Sequence, residues 1–163
     1  MAEGVECQPP RDLKEESLDR LNRTRHLPHF VATPEVHQED GRFRAWFTSC
    51  VVWKPAPEGP RHYYHLEYAE SVDGIDWRRD GTVAIEFQGE FEYALGVPRV
   101  IKDGGAYHMW FCSRATADCA TYRLRHAISP DGIKWTRQPG SAGIDVSPSG
   151  WDSQMLCYPF FFD

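Results

Sequence analysis

The sequence predicts an all-β protein, a partial β-propeller of two four-stranded antiparallel blades plus the first strand of a third. Three observations carry this. A strand–turn–strand segment, Pro34 to Ser49, returns as Pro98 to Ser113, 64 residues later. The segment Tyr64 to Trp77 returns as Tyr122 to Trp135, and the offset falls to 58 because the first copy holds six extra residues between Ser49 and Tyr64. Pro159 then opens a third copy, which stops at Asp163. A repeat of about 60 residues containing several strands is the signature of a radial array, because each unit buries its faces only against its neighbours.

Taken in order, residues 1–27 differ from the rest, being charged and without strand alternation. Asp12 to Leu21 would make a short helix with Asp12 as N-cap, or the segment is disordered, since Leu18 and Leu21 form only a thin apolar stripe. Residues 28–163 read as the partial propeller, with blades over about 30–79 and 94–137 and a third begun at 155–163. The second copy divides into runs at Leu95–Ile101, Ala106–Ser113, Tyr122–Ser129 and Ile133–Arg137. Lys102-Asp-Gly-Gly105 and Pro130-Asp-Gly132 supply the tight turns, Gly for positive φ and Asp to bond the turn backbone. Propeller rings close with at least four blades. The chain is therefore expected to be a piece of a longer propeller, or to self-associate through exposed blade edges.

Composition narrows the partners. A net charge of −6 and a pI near 5.6 argue against nucleic acid and against an anionic membrane. Six Trp, seven Tyr and nine Phe suit packed sheets and also suit sugar binding, where an aromatic face stacks on a pyranose ring. The five cysteines are odd in number and lack C-x-x-C spacing, so neither a metal site nor a disulfide framework is read from them, and no cofactor is expected. Cys112, aligned with Thr48, reads as a small strand residue. The N-terminal residues show no basic-then-apolar leader pattern, and no apolar run spans a bilayer, so a cytoplasmic location is expected.

These repeats resemble the five-bladed propeller superfamily of arabinanases, invertases, levansucrases and mannoside phosphorylases. The resemblance covers about residues 30–163. It rests on the Pro-x-Val inner strand, the Tyr-x-Met-Trp-Phe second strand and the Ser-x-Asp-Gly-Ile-x-Trp turn that closes each blade. Gly150-Trp-Asp-Ser-Gln-Met-Leu-Cys-Tyr-Pro159 is most similar to a segment of a little-characterised bacterial group of glycosidase-like proteins. The resemblance implies that the innermost strands line a channel, that ligands sit at one end of it, and that the ligand is a carbohydrate whose glycosidic bond is hydrolysed or transferred. The alternative is a non-catalytic sugar-binding or scaffolding propeller.

Acids entering the inner strands are the catalytic candidates. Glu92 lies six residues before Pro98 and Asp152 seven before Pro159, equivalent places on neighbouring blades. They are read either as an acid and base, or acid and nucleophile, sharing one cavity, or as surface loop acids. Arg99, directly after Pro98, is read as a substrate clamp pointing into that cavity or as an inter-blade salt bridge, with Glu35 as the natural partner. Arg114 and Trp151 complete the substrate-binding candidates. Asp73 and Asp131 are read as scaffold, because Ser-x-Asp-Gly-Ile-x-Trp is turn chemistry repeated in each blade. The seven histidines show no ligating spacing, so no metal site is proposed.

Overall fold

The computed structural model describes residues 28–161 apart from 90, 116–119 and 141. The charged lead-in, Cys7 and Cys119 therefore lie outside the described residues. Nine strands form in chain order: β1 Phe30–Glu39, β2 Arg42–Lys54, β3 Arg61–Ser71, β4 Trp77–Arg78, β5 Val83–Ile85, β6 Glu92–Asp103, β7 Ala106–Ala115, β8 Arg123–Ser129 and β9 Thr136–Arg137. The order β1-β2-β3-β4 makes one antiparallel blade, with β5 also pairing β3, and β6-β7-β8-β9 makes the next. A single parallel bridge, Tyr64 to Ala94, joins the blades. At the next junction the Leu156 N–H donates to the Tyr122 carbonyl at 3.2 Å, the equivalent place. Residues 155–161 otherwise run outside any ladder among the described residues, so the third copy is present as a docked segment rather than a paired strand.

The turn that closes each blade is the same network twice. Ser71 Oγ donates to Asp73 Oδ1 at 2.9 Å and accepts the Gly74 N–H at 2.9 Å, while Asp73 Oδ1 takes the Ile75 and Asp76 N–H groups at 2.9 and 2.8 Å. Ser129, Asp131, Gly132, Ile133 and Lys134 repeat it at 2.9, 2.8, 2.8 and 2.8 Å. Backbone hydrogen bonds hold both aspartates below the ordinary carboxylate range, as acceptors committed to the fold. Gly132 is required twice over. Its φ is 73°, and an added Cβ would lie 3.0 Å from Arg44 and 3.2 Å from Trp46. Because Ser129 is fully buried, Ser129→Ala is expected to cost about 1–3 kcal/mol through the unmet Gly132 N–H. Denaturant titration checks this, and an unchanged midpoint would show that the turn holds without it.

Strand alternation gives each blade two faces. Leu95, Val100, Met109, Phe111 and Ala127 face the first blade and are buried by its Trp46, Leu66, Tyr68 and Ile85. Their counterparts on the first blade are Val31, Val36, Ala45, Phe47 and Ala69. These line an open apolar groove of about 560 Å³ with Pro34, Trp77 and Arg79, and Val31 and Val36 are 49% and 46% exposed. Since the equivalent face is buried by a neighbouring blade, the isolated chain is expected to self-associate with rising concentration. Sedimentation showing a compact monomer at all concentrations, with a sharp thermal transition, would overturn this.

Candidate functional site

The inner strands carry a repeated backbone strain. Thr33, Val97 and Tyr158, each directly before a proline, have φ of 46°, 54° and 59°. For β-branched Thr and Val this conformation is an outlier costing about 1–3 kcal/mol. At the first two the ladder slips, between Ala32 and Glu35 and between Gly96 and Arg99, so each of these is a bulge. Polar atoms of the preceding blade hold the strained amides. The Val97 N–H donates to Thr33 Oγ1 at 3.3 Å, Thr33 and Thr48 hydroxyls pair at 2.8 Å, and the Tyr158 N–H meets Cys112 Sγ at 3.3 Å. Past the prolines, Glu35, Arg99 and Phe160 form a row. Arg99 Nη1 donates to Glu35 Oε2 at 3.0 Å, and its guanidinium lies 5.9 Å from the Phe160 ring. Arg99 thus makes an inter-blade ion pair along the inner strands, not a contact with Glu92.

Glu92 is saturated. Arg137 grips it with two bonds, Nη1 to Oε2 at 2.7 Å and Nη2 to Oε1 at 2.9 Å, the Gln88 N–H donates to Oε2 at 2.6 Å, and the Ser113 hydroxyl donates to Oε1. Burial pushes this carboxyl up, but Arg137, Ser113 and the Gln88 N–H outweigh it and hold it below the ordinary range. A carboxylate with both oxygens engaged has little capacity left to accept a proton. It opens onto a cavity of about 500 Å³ beside Phe91, Ser113, Arg125 and Arg137. Neither Asp152 nor Arg99 is among the residues that line it. The sequence reading missed Arg137. Its signal is the repeat: Arg137 lies 5.2 Å over the Phe111 ring as Arg79 lies 5.5 Å over Phe47.

The other candidates gather where β6 and β8 begin. Arg114 is sandwiched between Tyr93 and Tyr122, its guanidinium 5.0 Å from each ring. Its buried Nε has no acceptor among the described residues. The Tyr122 hydroxyl pairs with that of Tyr64, its repeat equivalent on the first blade. The loop 147–156 docks on the same strand start through the Thr121 hydroxyl and Arg123 Nη1, which donate to the Gln154 carbonyl at 2.5 and 2.8 Å. That loop leaves Trp151 96% exposed. Asp152 Oδ2 accepts the Ser147 hydroxyl at 2.7 Å, and its Oδ1 accepts no hydrogen bond among the described residues. Arg114 packs on Tyr122 at the start of β8, on which the loop carrying Trp151 and Asp152 docks, while Glu92 turns its carboxylate to Arg137 and Arg99 pairs with Glu35.

No family model matches the chain. Two curated relatives, both uncharacterised proteins of Mycobacterium tuberculosis, are each 38% identical over 136 residues, covering 83% of this chain. The chain spans 44% of their length. Among solved structures it is similar to a glycosyl hydrolase from Bacteroides ovatus, with a TM-score of 0.54 and 20% identity over 76% of this chain and 34% of that one. A structure from the GH130 family of mannoside phosphorylases and glycoside hydrolases gives a TM-score of 0.55 at 20% identity, covering 76% and 34%. Sucrose-6-phosphate hydrolase from Lactobacillus gasseri gives 0.51 at 14%, covering 63% and 20%. The chain is a partial β-propeller with the fold of these carbohydrate enzymes.

Proposed function

We propose that the chain is part of a carbohydrate-active propeller that, in its longer form, hydrolyses or transfers a glycosidic bond, and that it belongs with the little-characterised bacterial glycosidase-like group. The carrying observation is Arg114, held between Tyr93 and Tyr122 with a buried, uncommitted Nε–H, next to the strand start on which the loop bearing Trp151 and Asp152 docks. A sugar offers hydroxyl acceptors and apolar C–H faces, and a planar cation among aromatic rings is complementary to both. The glycoside hydrolases among the structural neighbours support the same reading. In this assignment Asp152 moves the proton, Arg114 and Trp151 bind sugar, Glu92 fixes the start of β6 through Arg137, and Arg99 orders the inner strands through Glu35.

The test uses the longer protein against a panel of glycosides. Asp152→Asn is expected to lower turnover by about two to four orders of magnitude while sugar binding persists. Arg114→Leu is expected to weaken binding about tenfold to a hundredfold. A second reading, a non-catalytic sugar-binding or scaffolding module, is favoured by the saturation of Glu92, since glycosidic chemistry generally needs two working carboxylates. Turnover unchanged in Asp152→Asn would sink the catalytic assignment in favour of that reading.

A further inference from the structure

The Cys112 and Cys157 sulfurs lie 3.1 Å apart, and both thiols are free. We propose that they form a reversible thiol–disulfide site that fastens the start of the third blade to β7. The repeat explains the closeness. The equivalent positions at the preceding junction are Thr48 and Gly96, where an added Cβ would lie 3.2 Å from Thr48 Oγ1. The second strand of one blade and the inner strand of the next are therefore in contact at this place in both junctions, and only the second junction puts a sulfur on each side. A disulfide needs an S–S separation of about 2.0 Å, so the two sulfurs must close by about 1 Å. Cys112 is buried on β7, whereas Cys157 sits on the segment 155–161, which has joined no ladder and can make that movement.

The two thiols are unequal, which sets the order in which they react. The neighbouring Cys112 thiol, with help from the Tyr158 N–H and Arg114, holds Cys157 down to about 7 despite its burial. Cys112 is pushed up by its contact with Cys157 and by burial. Cys50, which burial pushes up to about 12, is an internal control for an inert thiol. In the step we envisage, the Cys157 thiolate attacks one sulfur of a low-molecular-weight disulfide and expels its other half as a thiolate. Cys112 then gives up its proton and attacks the Cys157 sulfur, expelling the second half. The protein loses two electrons and two protons, and the external disulfide is reduced to two thiols.

The experiment incubates the full chain with oxidised glutathione and maps peptides without reduction. The expected result is a cross-link between the peptides holding Cys112 and Cys157, reversed by dithiothreitol, with Cys50 unmodified. Cys112→Thr, which installs the residue of the preceding junction, is expected to arrest the reaction as glutathionylated Cys157. Cys157→Gly, its companion from the same junction, is expected to leave Cys112 unreacted. Chymotryptic cleavage after Phe160 should slow several-fold in the oxidised wild type and not in either variant. Mixed disulfide accumulating on Cys157 in the wild type, a cross-link through Cys7, Cys50 or Cys119 instead, or no reaction in the folded chain would each overturn the proposal.

Discussion

Glu92→Ala is expected to destabilise the protein by about 3–5 kcal/mol, because it strands the Arg137 guanidinium in a site built around a carboxylate. The pair is bidentate at 2.7 and 2.9 Å and spans from the start of the inner strand β6 to the outer strand β9. Arg137→Leu should cost less, since the Ser113 hydroxyl and the Gln88 N–H still serve the carboxylate. If the two act as one unit, Glu92→Ala combined with Arg137→Leu should be no worse than the worse single change, a large coupling in a double-mutant cycle. The pH dependence has a definite sign. The folded state holds Glu92 below its ordinary value of 4.5. Its contribution is therefore complete above the unfolded value and is lost as pH falls through the lower folded one. Wild type should lose stability more steeply than Glu92→Gln on acidification below about pH 4.5. Denaturant midpoints across that range check both points, and parallel curves would show that the ion pair adds nothing.

The fold was legible because its signals are local and occur twice. Ser71 to Trp77 and Ser129 to Trp135 each carry their own hydrogen-bond network, so the turn chemistry could be read without any tertiary knowledge. Glu35 and Arg99 were also within reach, since they occupy the same repeat position on adjacent inner strands and carry opposite charge. What stayed hidden depends on side-chain direction. Glu92 and Asp152 sit at similar places before their prolines, yet alternation turns Glu92 toward the Phe111 face, and the loop after Gly140 carries Asp152 elsewhere. Arg137 is 45 residues from Glu92, and no local pattern links a β9 arginine to the first residue of β6. The cysteine pair was hidden for a similar reason. Its members are also 45 residues apart, and only superposing the Thr48–Gly96 junction on the next one brings them face to face.

Trp46→Ala is expected to cost about 3–5 kcal/mol, whereas Trp110→Ala, its repeat equivalent, should cost about half of that or less. The difference comes from what covers each ring. Trp46 is fully buried between the blades, with Tyr68, Tyr107 and Trp135 rings at 5.9, 6.3 and 6.2 Å and His37 at 5.3 Å. Its Nε1–H donates to the Gly132 carbonyl at 2.7 Å. Trp110 is only half-buried, stacking on His126 at 4.6 Å and touching Phe161 at 4.7 Å. Its Nε1–H reaches the Ala142 carbonyl at a long 3.4 Å. Trp46→Phe should recover most of the loss, because the Gly132 carbonyl also accepts the Trp135 indole N–H at 3.1 Å and is not orphaned. Equal costs at 46 and 110 in matched denaturant titrations would mean that the ring's own blade, rather than the blade packed against it, supplies the stabilisation. The equivalent pair measured in a longer relative separates the contributions further. A following blade laid over Trp110 should raise the cost of Trp110→Ala toward that of Trp46→Ala, since the repeat would then bury both indoles alike.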